Sequence, residues 1–402
     1  MRKGRVQKIE RWRRAALLFF LSQSVTLFGS QVVQMAVIWH VTLLTSSGIW
    51  VAAYSVCSYL PQFFLSFPAG VWADRFDRKR LIITADLGIA FATGVMMLIV
   101  SHMDSEKQIL VALLFLSMVR SAGSGIQIPA VSAVVPQLVS QEELGRYNGF
   151  YAAMQAFVQF AAPAVAGLLL GSISLEQILW VDIVTAGIGT VMFVFVSIPE
   201  VPGKSKSEED FIDTNMKSGL LYVAKHKTVR HLLQIYGIFT FLCVPAGYLS
   251  GLFVSRMFGN SYFYLTATEV TGFGGMMAGG IWMSLHGSRK DGKKVLGSAL
   301  FFFGVMAVGM AVSKNFAVYL LCMMLYGVAL TAVQTTLTTL LQKQTDPDMQ
   351  GRIFGLMGAA YAACYPAGMA VFGTMSDWLP LRWLMCGSGF LLLLLAGKIR
   401  KS

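Results

Sequence analysis

Charge is what this chain has least of. Of its 402 residues only 13% are Asp, Glu, Lys or Arg, about half the ~25% that clothes an average soluble domain. Acidic residues are the scarcer kind, 20 against 32 basic ones. So few charges cannot cover a water-facing globule, which excludes a soluble enzyme. The 55% hydrophobic content excludes a disordered chain. Cysteine is also scarce. Cys57, Cys243, Cys322, Cys364 and Cys386 all lie in apolar runs, with no CxxC and no Cys/His ligand spacing. No disulfide and no metal is expected. The five histidines, His40, His102, His226, His231 and His286, are scattered, and neither HExxH nor a Walker A loop occurs. No cofactor is expected, and ATP is not the direct energy source. The run Gly272–Met277 fails GxGxxG at its last position and reads as a helix-packing patch.

What remains is apolar sequence in long runs. A bilayer core of ~30 Å takes about 20 helical residues at ~1.5 Å each. Runs of that order fall at 15–40, 49–73, 81–102, 109–135, 147–171 and 178–198, then at 230–255, 263–285, 295–313, 316–341, 352–375 and 380–397. They predict an all-α integral membrane protein of twelve transmembrane helices, with the lipid bilayer as its first partner. A net charge of +12 could suggest nucleic acid. Most of the charges flank apolar runs, however, so no nucleic-acid partner is expected.

Lys and Arg set the orientation. With the N-terminus inside, the inner segments hold Arg2 to Arg14, Arg75 to Arg80, Arg146, the 204–230 cluster, Arg289 to Lys294, Lys343, Arg352 and Lys398 to Lys401. The outer segments keep only Lys107, Arg256, Lys314 and Arg382. Both termini are therefore expected in the cytoplasm, in a multi-pass protein of the plasma (inner) membrane. The first run is too long for the apolar core of a signal peptide and reads as an uncleaved anchor.

The chain reads as a duplication. Its N-terminal six-helix bundle is expected over 1–198 and its C-terminal one over 229–402, joined by a cytoplasmic linker at 199–228. In the linker Phe211, Ile212, Met216, Leu220 and Val223 recur at helical spacing among charges, which suggests an amphipathic helix on the membrane face. Gly145-Arg146-Tyr147-Asn148-Gly149 returns 206 residues later as Gly351-Arg352-Ile353-Phe354-Gly355. Each is followed by a proline, at Pro163-Ala164-Val165-Ala166-Gly167 and Pro366-Ala367-Gly368. Two six-span repeats are the architecture of secondary transporters with a midplane site.

Residues 70–80 read Gly-Val-Trp-Ala-Asp-Arg-Phe-Asp-Arg-Lys-Arg. This resembles the loop signature Gly-x-x-x-Asp-Arg-x-Gly-Arg-Arg/Lys of the major facilitator superfamily, with Asp77 standing at the second glycine. Arg120 followed by Gly123 resembles the family's span-4 arginine motif. Pro163 and Gly167 resemble its span-5 antiporter motif, with Ala162 at the first glycine. The stretch from Arg120-Ser121-Ala122-Gly123 through Pro129-Ala130, Pro136 and Glu142-Glu143-Leu144 to Pro163-Ala164 is similar to the macrolide-efflux branch. The resemblance implies that Gly70, Asp74, Arg75 and Arg78 form a cytoplasmic gate. Asp86, near the inner end of its span, is read as part of that gate's charge network.

Charges inside the membrane are functional candidates by default. Arg120 lies near the middle of span 4. Either it orients substrate or gates a proton carboxylate, or it ties span 4 to span 1 through carbonyls. Glu269 is the deepest acid of the second half, a candidate for proton coupling or else a side chain snorkelling to the outer interface. Asp182 is a further coupling candidate, with an interfacial or structural role as the alternative. Gln23, Ser30 and Gln34 in span 1, Gln155 and Gln159 in span 5, and Gln334, Thr335, Thr338 and Thr339 in span 10 are polar stripes. They suit a substrate cavity or interhelical hydrogen bonds.

The expected function is a secondary exporter of small amphiphilic drugs, macrolide-like by resemblance, exchanging them for protons as coupling ion. A monomer is expected, and association with an ATPase-type partner is left open. The alternatives are export of a siderophore or lipid-like product, a channel, or a non-transporting membrane sensor or scaffold.

Overall fold

The structure, a computed structural model, describes residues 2–138, 144–196, 198, 220–286, 292–346 and 349–401. The side chains of residues 2–13, Asp74, Arg75 and 144–150 lie outside the description. So do residues 199–219, and with them Phe211, Ile212 and Met216 of the expected linker helix. Residues 220–225, which hold Leu220 and Val223, are helical.

Helices account for the described architecture, and no strand occurs among the described residues. The chain runs through α1 (Arg2–Thr45), α2 (Gly48–Arg75), α3 (Arg78–Val100), α4 (Glu106–Leu138), α5 (Leu144–Leu170) and α6 (Leu175–Val194). It resumes as α7 (Lys227–Leu242), α8 (Ser250–Met257), α9 (Tyr262–His286), α10 (Gly292–Val312), α11 (Phe316–Gln344), α12 (Gln350–Met375) and α13 (Leu381–Lys401). Two compact units result. One holds Met1–Val41 with Ala53–Lys204, the other Thr42–Ala52 with Ser205–Ser402, so the α1–α2 corner counts with the second unit.

Ten helices among the described residues, α1–α6 and α10–α13, contain a stretch long and apolar enough to cross a membrane. The expected run at 230–255 is not one helix. It breaks between α7 and α8, where residues 243–249 form turns. Pro245 is the cause, because it has no N–H and its ring clashes with the carbonyl four residues back, at Phe241. The Phe241 carbonyl, left without that donor, takes the Val244 N–H at 3.4 Å, and the Cys243 carbonyl accepts from the Gly247 N–H at 2.9 Å and the Tyr326 hydroxyl at 3.3 Å. The run at 263–285 is one helix, α9, but Glu269 and Gly272, Gly274, Gly275, Gly279 and Gly280 dilute its apolar content. Gly272 and Gly275 of the expected packing patch, and Gly279 beyond it, face α11 closely, whereas Gly274 has open space beside it. A β-carbon on Gly279 would stand 2.8 Å from the Val328 carbonyl oxygen, so only glycine lets α9 lie this close to α11.

The first unit turns apolar side chains outward and keeps its few intramembrane charges inside. On α3 the exposed stripe is Leu87, Phe91, Val95 and Leu98, while Asp86 and Thr93 are buried with Ile82, Ile89 and Met96. On α6 Trp180, Val184, Ile188 and Val191 face outward and Asp182 inward. Period-3.6 patterning with the signs reversed is what lipid as solvent selects. At one end of the unit a dry cluster of Phe19, Phe20, Ile82, Val134, Val135 and Phe193 closes the space between α1, α3, α4 and α6.

Beside that cluster runs the α2–α3 connection. Asp77, where the family signature has glycine, is the N-cap of α3 and accepts from Lys79 N at 2.8 Å and Arg80 N at 3.3 Å. Arg78 donates to the Ala133 carbonyl of α4 at 2.8 Å. Lys79 Nζ reaches the carbonyls of Val194 and Val196 at 2.7 and 2.8 Å, a cation on the orphan oxygens ending α6.

Candidate functional site

Five helices of the first unit turn polar faces to one cavity of about 230 Å³. Helical spacing selects each face. From α1 come Thr26, Ser30 and Gln34, and from α2 come Tyr54, Ser58 and Gln62. From α4 come Ser117, Arg120, Ser121, Ser124 and Gln127, while α3 gives Asp86 and α6 gives Asp182. Pro61 interrupts α2 at this level, and the next N–H, on Gln62, donates to Ser121 Oγ at 3.0 Å. Gly125 permits that approach, since a β-carbon there would stand 2.9 Å from the Gln62 carbonyl oxygen.

Arg120 and Asp182 form the central ion pair. Arg120 Nη1 bonds Asp182 Oδ2 directly, and its Nη2 lies 3.3 Å from Asp182 Oδ1. The same guanidinium reaches Thr93 Oγ1 at 2.8 Å, Ser30 Oγ at 3.1 Å and the Ser30 carbonyl at 3.2 Å. Asp182, with 1% of its surface exposed, also has the Ser30 hydroxyl at 3.2 Å and the Thr93 hydroxyl at 2.9 Å. Four helices, α1, α3, α4 and α6, are thus held through one buried pair. A charge taken out of water needs such a partner and such hydrogen bonds. The Ser30 carbonyl contact is the expected tie of span 4 to span 1, and it coexists with the ion pair.

Asp86, expected in the charge network of the α2–α3 connection, lines the cavity, 2% exposed, and accepts from Gln127 Nε2 at 2.6 Å. The reason is helical phase. Asp86 sits eight residues into α3, about 12 Å up the axis from Arg78, on the same face as Ile89 and Thr93. Ser30 and Gln34 of the span-1 stripe line the cavity, whereas Gln23 is buried elsewhere on α1. On α5 Gln155 is partly buried and Gln159 exposed, and neither lines it. Pro163 lies inside α5, one turn before Gly167, with Ala162 fully buried. In the second unit Gln334 and Thr338 are partly buried on α11. Glu269 on α9 is within electrostatic reach of Tyr319, whose buried hydroxyl has no hydrogen-bond partner among the described residues.

One cluster in the second unit escaped the sequence reading. Asp377 accepts from the N–H groups of Gly48 and Ile49 at 2.6 and 3.0 Å and from the Ser47 hydroxyl at 2.6 Å. It thereby caps the start of α2 from a distant part of the chain. Arg256 of α8 pairs with Asp377 at 2.6 Å and donates to the carbonyls of Ser46 and Ser376. Ser46 takes a positive φ of 48° to offer its carbonyl there. Burial pushes the Asp377 carboxyl up, but the hydrogen bonds from Ser47, Gly48, Ile49 and Arg256 outweigh it and leave the group below its ordinary value of 3.8. The available signal was Arg256 itself, a lone cation in a segment otherwise poor in charge.

Ten helices long and apolar enough to cross a membrane, with a buried ion pair facing a polar cavity among them, define a helical protein of the membrane. The sequence profile of the Major Facilitator Superfamily matches residues 15–369, and the chain belongs to that family. It is 26% identical over 393 residues to Macrolide efflux protein A of Streptococcus pyogenes, covering 97% of this chain and 96% of that one. To the Multidrug efflux pump Tap of Mycobacterium tuberculosis it is 21% identical over 372 residues, 91% and 88% of the two chains. Among solved structures, a bacterial homologue of the human lysosomal transporter Spinster, inward-facing and unoccupied, superimposes with a TM-score of 0.74 at 13% identity. That match covers 97% of this chain and 96% of the other. A bacterial homologue of the iron transporter ferroportin gives 0.72 at 18% identity, over 96% and 98%. These two likenesses concern the fold.

Proposed function

We propose that this protein is a twelve-span secondary exporter of small amphiphilic molecules, macrolide-like in class, driven by proton antiport. The observation that supports it is the polar cavity of the first unit with its buried Arg120–Asp182 pair. A pair held by hydrogen bonds from two other helices would alternate between two arrangements, paired and released, with a proton on Asp182 releasing Arg120. An element with two states is what alternating access needs. The efflux relatives, alike over nearly the whole chain, support the direction of transport. Glu269 is the corresponding candidate acid in the second unit.

The test is drug accumulation in cells expressing the protein, across macrolides and unrelated amphiphiles, with and without a protonophore. Lower accumulation of macrolides, abolished by the protonophore, is expected. Equal accumulation with and without the protein would overturn the exporter reading. Export indifferent to the protonophore would overturn proton coupling. In reconstituted vesicles, Asp182→Asn and Glu269→Gln separate the two candidates: the coupling acid loses pH-driven flux and keeps substrate counterflow.

A further inference from the structure

Three charged side chains line the cavity of the first unit: Asp86, Arg120 and Asp182. Arg120 and Asp182 neutralise each other at contact distance. Asp86 is left over. Its partner is the neutral amide of Gln127, and among the described residues it makes no ion pair. A buried carboxyl with one neutral donor is under-compensated whenever it ionises, and a cation brought into the cavity would supply the missing charge. The cavity's walls gather no group of three or more His, Cys, Asp or Glu side chains among the described residues. They offer instead the rings of Tyr54 and Tyr59, whose faces attract an alkylammonium, and serine hydroxyls to receive its N–H groups.

We propose that Asp86 is the counter-charge for a protonated amine, and that the cavity selects molecules carrying one. The volume of about 230 Å³ limits what enters. Sites that enclose a whole drug-sized ligand run to ~300–1,000 Å³. The cavity therefore takes the amine-bearing end of an amphiphile and leaves its apolar body outside. This names a substrate class for the exporter proposed above and rests on that reading for its use. The binding itself is tested without transport.

Purified full-length protein in detergent is titrated with dansylcadaverine, a fluorescent primary amine protonated at neutral pH, and with its uncharged N-acetyl amide. The wild type is expected to bind the amine about tenfold or more tighter, the range of a charge-assisted contact. Asp86→Asn, which keeps the acceptor for Gln127, should bring the two probes within about twofold of each other, and Asp86→Glu should keep a preference. A second measurement needs no variant: a hydrophobic carbodiimide modifies Asp86, mapped by mass spectrometry, and the amine but not the amide should slow it. Equal binding of both probes, binding of neither, an Asp86→Asn protein that keeps the preference, or equal protection by both probes overturns the proposal. Accumulation assays judge the exporter reading separately. Amine binding without export sinks that reading alone, and export without amine preference sinks this one alone.

Discussion

Neither Arg120 nor Asp182 is stable in its place without the other. Removing one partner of a buried pair leaves an uncompensated charge and costs about 3–5 kcal/mol. Asp182→Asn and Arg120→Gln should each lower the thermal midpoint of the purified protein sharply. The double variant should lose less than the two singles combined, because it strands no charge. Additive losses in that cycle would mean that the two side chains act independently. Arg120 was legible in the sequence because an arginine inside an apolar run stands out by type alone. Its partner was not, because α4 and α6 meet only in the folded chain and 62 positions separate the residues. The cavity position of Asp86 was hidden for a related reason. Proximity in sequence to the basic connection suggested a shared network, while the phase of α3 turns it to the cavity.

At the scale of the element, the α2–α3 connection holds two aspartates of different kind. Asp77 is a cap. Asp77→Ala should cost about 1 kcal/mol, read as a lower thermal midpoint, with transport per folded molecule unchanged. Asp74, whose side chain lies outside the described residues, is the proposed gate carboxylate. Asp74→Asn should keep the thermal midpoint and collapse transport at equal expression, and wild-type efflux would remove it from the gate. The Asp377–Arg256 clasp makes a pH prediction. A carboxyl held below its ordinary value of 3.8 stabilises the fold above the unfolded-state value and loses that contribution as pH falls through the folded one. Wild type should therefore exceed Asp377→Asn in thermal midpoint by a constant margin from about pH 5 to 8, and the margin should shrink below about pH 4. A margin that grew in acid would reverse the sign and refute the clasp.

At the scale of the molecule, the orientation proposed from the Lys/Arg asymmetry is open to direct labelling. Single cysteines at Ser105 and Asn260 should react with an impermeant maleimide on intact cells, and those at Ser207 and Ser288 only after permeabilisation. External reaction at Ser207 would invert the topology. The helical fold class was legible because lipid imposes length and composition on each span, and both can be counted along a line. The broken segment was less so. Val244-Pro245-Ala246-Gly247 sits inside an apolar run, and hydropathy does not register a missing N–H.

The break has a consequence for how the protein is made. The two segments that fall short of an independent span among the described residues, α7–α8 and α9, are consecutive in the chain, and each packs chiefly on a later helix, α7 on α12 and α9 on α11. A translocon meeting the first finds α7 and α8 too short to cross separately, and meeting the second finds a carboxylate and five glycines in it. The close backbone contact of α9 is made with α11, where Gly275 meets Met324 and Gly279 meets Val328, and the Cys243 carbonyl at the break is met by Tyr326 of the same helix. Neither segment should therefore be held firmly across the bilayer until α11 and α12 have been made, and a chain truncated before Phe316 should leave both open to a water-soluble reagent.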